Sequence, residues 1–169
     1  IDTICHKCQA LVWHPWRSAL LGIGAVWTQD NDLHARVALW DVAKDKVKKR
    51  ILDRNFHSLD SMLFSPRTGE LVLSLWDTLY PKTCSHLVVM SDADTVVDQW
   101  GEGRTGLDRI RTMIFSPDGT KLATATADED LIIWNFLPED KKKRKRGLTK
   151  RFCAMPVYLD KAASGVSFR

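Results

Sequence analysis

The chain is expected to be all-β, made of repeated four-stranded units set side by side as blades of a propeller. Three observations lead there. Pro15, Pro66 and Pro117 occupy the same place in three similar segments, Trp13-His14-Pro15-Trp16, Phe64-Ser65-Pro66-Arg67 and Phe115-Ser116-Pro117-Asp118, and the interval is 51 residues both times. Each proline follows a short alternating stretch, Ala10-Leu11-Val12-Trp13, Ser61-Met62-Leu63-Phe64 and Thr112-Met113-Ile114-Phe115. A later strand in each copy ends on a large residue: Trp40, Met90 and Trp134. A repeat of this length, composed of short strands and turns, is the signature of propeller blades.

In the first copy, residues 10–13 are the predicted inner strand and 19–22 the next. A long polar excursion over 24–35 is expected before a third strand at 37–39 and an outer strand at 47–52. The second copy repeats the order with 61–64, 70–75, 86–90 and 95–100. The third is the most regular, because Pro117-Asp118-Gly119-Thr120 is a tight-turn sequence in which proline presets φ and glycine accepts a positive φ. From the repeat proline to the end of the third strand the copies span 25, 24 and 17 residues, which predicts an enlarged loop in each of the first two. The blades are placed at about residues 5–53, 56–101 and 107–136, within a unit covering 1–136. Residues 137–169 are expected to form a basic linker and an irregular C-terminal tail.

A closed propeller needs roughly four to eight blades, so three of an expected seven or so make a partial ring. With an opening Ile1, the chain reads as the C-terminal portion of a longer protein whose first blade face is left sticky. Hydrophobic residues make up 44% of the sequence, yet no apolar run approaches the ~20 residues of a membrane helix, and no membrane association is expected. Four scattered cysteines do not form a disulfide framework and point to an intracellular compartment. The formal charge of +4 is concentrated in Lys141-Lys142-Lys143-Arg144-Lys145-Arg146; subtracting those six charges leaves −2 for the rest. Such a run is a solvated segment or a nuclear-localisation signal, giving an expected nuclear and cytoplasmic distribution. Without a basic face or stacking platform, no specific nucleic-acid binding is expected.

The sequence offers little chemistry. Cys5-His6-Lys7-Cys8 has the gap of a zinc half-site, but Cys84 and Cys153 stand alone, so no metal site is expected and one of the pair should pack inward. His6, His14, His34, His57 and His86 show no motif spacing to a nucleophile or acid. The glycines of 101–106 lack a following helix to hold phosphate. Asp128-Glu129-Asp130 reads as a solvent-facing turn with one acid hydrogen-bonding the turn. The chain is therefore expected to be no enzyme and to need no cofactor, presenting surfaces to other proteins instead.

The stretch from Phe115 through Pro117-Asp118-Gly119-Thr120 and Thr124-Ala125-Thr126-Ala127-Asp128 to Ile133-Trp134 resembles a WD-repeat blade, and more narrowly the last blade of the fizzy family. That family comprises the substrate-recruiting activators of the anaphase-promoting complex, a ubiquitin ligase. Trp13-His14-Pro15-Trp16, the charged linker and the final Phe168-Arg169 are similar to family features; fizzy proteins end in isoleucine-arginine. The resemblance implies a partial WD-repeat propeller and an activator that promotes ubiquitin-dependent degradation of mitotic or meiotic proteins. Implied partners are subunits of the anaphase-promoting complex and degron-bearing substrates such as cyclins. It assigns Phe168 and Arg169 to ligase docking, Arg109 to the KEN-box degron on the face over the channel, and Glu129 to the arginine of a destruction-box degron. The alternative is a non-catalytic scaffold propeller that recognises no degron.

Several positions depart from the family. Leu73-Ser74-Leu75-Trp76 and Gly22-Ile23-Gly24-Ala25-Val26-Trp27 stand where polar or glycine-rich turns are expected, and Ser58 stands where the KEN contact set has a longer amide. Gly106 takes the place of the blade histidine, which would leave Thr112 and Trp134 without that partner. These departures resemble those of a specialised insect member.

Overall fold

Three four-stranded sheets follow one another along the chain. The structure is a computed structural model describing residues 7–30, 32–79, 85–91, 95–100, 108–136 and 157–158. Cys5, Cys84, Cys153, the 101–106 glycines, the basic run and the terminal Phe168-Arg169 lie outside the described residues. Blade one contains β1 (Lys7–Trp13), β2 (Leu20–Gln29), β3 (Asp32–Asp41) and β4 (Lys46–Asn55). Blade two contains β5 (His57–Phe64), β6 (Leu71–Asp77), β7 (Ser85–Met90) and β8 (Val96–Trp100). Blade three contains β9 (Ile110–Phe115), β10 (Lys121–Thr126), β11 (Leu131–Asn135) and β12 (Val157–Tyr158). In each, the spatial order follows the chain order and all neighbours are antiparallel. The predicted all-β class and partial propeller are borne out.

Blade two lies between the other two, and strand alternation divides its side chains between them. Leu71, Leu73 and Leu75 of β6, with Val88 and Met90 of β7, pack with Leu20, Val26, Val37 and Leu39 of blade one. The intervening Val72, Leu87 and Val89 pack with Ile110, Met113, Leu122, Ile132 and Trp134 of blade three. A strand buried on both faces reads as a continuous apolar run rather than an alternating one. The strand predicted at 70–75 is β6, and Leu73-Ser74-Leu75-Trp76, which replace the family's polar turn, lie inside it.

Gly22–Trp27 is likewise strand, and the polar excursion expected at 24–35 is a β-hairpin. β2 and β3 pair without a break from Leu20↔Asp41 to Gln29↔Asp32. Its polar content misled because it lies on one face and at the tip, where Trp27 stacks on His34 at 5.2 Å and carries the Arg36 guanidinium 4.7 Å from its ring centre. The inward face keeps the apolar rule, with Ala35 and Val37 fully buried. Gly24 faces Leu59 of blade two so closely that a Cβ would sit 2.2 Å from Leu59 Cδ2. Here the missing side chain sets the spacing between blades.

The repeat prolines mark turns that stack from blade to blade. Trp16 Nε1 donates to the Pro66 carbonyl at 3.2 Å, and Gly119, at φ +67, packs against Pro66 and Arg67. That positive φ is what the Pro117–Thr120 sequence predicts. Asp118 fixes the turn by accepting from Ser116 Oγ at 2.5 Å, Thr120 Oγ1 at 2.7 Å and Thr120 N at 3.2 Å, which lowers its carboxyl to about 2.

The segment after Trp134 was expected to be irregular, but Val157–Tyr158 pairs with Ile132 and Ile133 of β11 and supplies blade three's fourth strand. Two residues without a repeat partner gave no periodic signal. On the outward face of blade one, Leu11 and Trp13 are more than half exposed, as is Ile114 on the far face of blade three. Among the described residues, no helix is long and apolar enough to cross a membrane.

Candidate peptide-binding face

At the end of the sheets opposite the proline turns, the inner strands begin. The 51-residue interval makes Ser58 and Arg109 equivalent positions of neighbouring blades, and the structure brings them together. Arg109 Nη2 donates to Ser58 Oγ at 3.2 Å. The same guanidinium grips Asp60 in a two-pronged pair, Nε to Oδ2 at 2.7 Å and Nη2 to Oδ1 at 2.5 Å. Trp76 places its ring 5.7 Å from the guanidinium carbon. The hydrogen bond to Asp60 is the main cause of an Arg109 pKa above the ordinary arginine value, opposed by partial burial.

Asp60 is almost wholly buried, with 5% of its side chain exposed, whereas 31% of the Arg109 side chain reaches solvent. The pair is thus a fixed cation seen from one side. Nε and Nη2 are used on Asp60 and Ser58, and Nη1 makes no hydrogen bond among the described residues. A planar fork held in this way can still accept a second carboxylate.

Glu129 stands exposed at the tip of the β10–β11 turn, in the left-handed region at φ 71. Thr126 holds that turn: its Oγ1 donates to the Asp128 carboxylate and accepts from Asp130 N at 3.1 Å, while its N–H donates to the Asp130 carbonyl at 3.0 Å. This matches the expected solvent-facing acidic turn with a bonded acid. The Ala127 N–H donates to the Arg109 carbonyl at 2.8 Å, so the two predicted contacts share one end of blade three. One presents positive charge and the other negative.

Sequence reasoning missed Asp60 and Trp76. The repeat interval points to Ser58 beside Arg109, but finding Asp60 requires knowing which way β5 turns its side chains. Gly106 lies outside the described residues, and the threonine that partners Trp134 is Thr124 rather than the expected Thr112. The indole Nε1 donates to Thr124 Oγ1 at 2.9 Å, deep in the interface, whereas Thr112 is exposed. Cys8 is exposed, and Cys5, the other cysteine of the pair, lies outside the described residues. Nor are the histidines all scattered, since His57 and His86 meet beside Asp77.

These blades, their register and the tryptophan-threonine bond define a segment of a WD-repeat propeller. The chain is 63% identical over 165 residues to protein cortex of Heliconius erato, covering 95% of this chain and 36% of that protein. Protein cortex of Biston betularia is 55% identical over 164 residues, 94% of this chain and 36% of the relative. The WD repeat-containing protein slp1 of Schizosaccharomyces pombe is 26% identical over 142 residues, 84% of this chain and 27% of that protein. Among solved structures, one chain of a mitotic checkpoint complex crystal structure matches with a TM-score of 0.53 and 26% identity, over 76% of this chain and 36% of that one. The C-terminal WD40 domain of Sif2, at 15% identity and a TM-score of 0.50, supports the fold alone. No family profile matches the chain. The resemblance to the fizzy family is borne out, and within it the chain is similar to the insect protein cortex. It spans about a third of the length of these curated relatives.

Proposed function

We propose that this chain is the substrate-reading part of an activator of the anaphase-promoting complex, recruiting degron-bearing proteins such as cyclins for ubiquitin-dependent degradation. The observation that carries this reading is the pairing of opposite charges at one end of blade three. Arg109 is anchored by a buried acid while part of its side chain stays in solvent, and Glu129 is held out on a turn where glycine would cost less. A non-glycine residue in the left-handed region carries backbone strain of order 1 kcal/mol, and a carboxylate needed at that spot gives a reason for keeping it. Arg109 would take an acidic group of a KEN-type degron and Glu129 the arginine of a destruction-box type. Relatedness to cortex and slp1, and the mitotic checkpoint complex neighbour, support this reading and partners of that class.

The chemistry is recognition without turnover. Single exposed charge pairs are weak, so the degron contacts would act together with ligase docking through Phe168 and Arg169, each raising the effective concentration for the other. The basic run at 141–146 would give access to the nucleus as well as the cytoplasm. The test is affinity capture from dividing cells with the protein and with a variant lacking its last two residues. Recovery of ligase subunits with the intact protein, reduced in the truncated form, is the expected result. Equal recovery removes the docking role of the tail. No ligase subunit with either form leaves the scaffold alternative.

A further inference from the structure

We propose that blade two carries a binding site for one zinc-class divalent ion, formed by His57, Asp77 and His86. One imidazole nitrogen from each histidine and one carboxylate oxygen of Asp77 lie within 4.8 Å of one another. The register explains the convergence. Asp77 is directly opposite His57 across β5 and β6, and His86, the second residue of β7, stands opposite Leu75, one step along the same row. Asp77 continues the row of Leu71, Leu73 and Leu75, and His86 that of Val88 and Met90, so all three side chains extend one face of the sheet at its end.

A second observation concerns the tautomer. His57 Nδ1 lies 2.7 Å from the Asn55 carbonyl, which can only accept, so Nδ1 carries a proton and, in the neutral ring that binds metal, Nε2 offers its lone pair. A backbone carbonyl behind a histidine is the usual outer support of a metal ligand. Asp77 is oriented too, with Oδ1 accepting from Leu79 N at 2.9 Å. His86 is buried and His57 and Asp77 half-buried, so the ion would be shielded on the sheet side and open to water on the other. Two imidazoles and a carboxylate with one open position suit Zn²⁺. Tetrahedral bonds of roughly 2.0–2.1 Å place ligand atoms about 3.3 Å apart, so separations of up to 4.8 Å close by about 1.5 Å when the ion enters. The ion would tie together the β5, β6 and β7 ends of the one blade that both neighbours pack against.

The test titrates Zn²⁺ into the whole protein against a chromogenic chelator, with Co²⁺ absorption as the coordination readout and Mg²⁺ as the control. Binding of one Zn²⁺, weakened at least about tenfold in His57→Ala and in the near-isosteric Asp77→Asn, with no thiolate-to-cobalt charge-transfer band, is expected. Circular dichroism would verify that the variants keep the wild-type sheet signal. Absence of stoichiometric zinc, unchanged affinity in folded Asp77→Asn, or binding lost only with Cys5→Ser/Cys8→Ser would overturn the site.

Discussion

The Asp60–Arg109 pair crosses from blade two to blade three, so its strength is open to measurement by a double-mutant cycle. Two charge-assisted hydrogen bonds of 2.7 and 2.5 Å join the groups. Hydrogen bonds to charged partners contribute about 1.5–3 kcal/mol each when buried. Only 5% of the Asp60 side chain is exposed, but Arg109 keeps 31% of its side chain in water, which screens the attraction and reduces the pair toward the lower end of that range. Arg109→Ala leaves a buried carboxylate with its main partner gone and should cost about 2–3 kcal/mol, and Asp60→Ala about 2. The double variant should cost less than the two together, with a coupling of about 1.5–2 kcal/mol. Urea unfolding followed by tryptophan fluorescence reads these values from midpoint and slope. Two single variants each within about 0.5 kcal/mol of wild type, adding without coupling, would refute the claim that a buried acid anchors the cation.

Other expectations follow from packing and turn geometry. Gly24→Ala should destabilise by about 1–3 kcal/mol in the same unfolding assay, because the new methyl group meets the fully buried Leu59, and Leu59→Ala in the same chain should recover part of the loss. Thr124→Val should cost about 1–3 kcal/mol, since it strands the Trp134 indole N–H in the interface between blades. Asp118 should titrate by carbon-detected NMR near 2, and Ser116→Ala should move it toward the ordinary carboxylate range. With its folded value depressed, Asp118 stabilises the turn above the unfolded value and loses that contribution as the pH falls through about 2.

What could be read in the sequence was local or periodic. Gly119 takes its positive φ because a Pro-Asp-Gly-Thr turn demands it, and the 51-residue interval locates three inner strands and the Ser58–Arg109 neighbourhood. What could not be read depends on which blade faces which. Leu73 to Trp76 looks aberrant until β6 is seen buried on both sides, and residues 24–35 look like a loop because the polar residues of a long hairpin collect on its outer face and tip. Asp60, 49 residues before Arg109, and the group of His57, Asp77 and His86 arise from register across strands, which no linear spacing displays. The strand at 157–158 has no repeat partner at all.

Glu129 and Arg109 are expected to read charge on short peptides. Fluorescence anisotropy of a destruction-box peptide and a KEN-box peptide against the protein, Glu129→Lys and Arg109→Glu measures this directly. The prediction is selective loss: Glu129→Lys weakens the arginine-bearing destruction-box peptide at least about tenfold while sparing the other, Arg109→Glu does the reverse, and a destruction-box peptide with its arginine replaced by glutamate recovers binding to Glu129→Lys. Equal affinities for both peptides across all three proteins would contradict it.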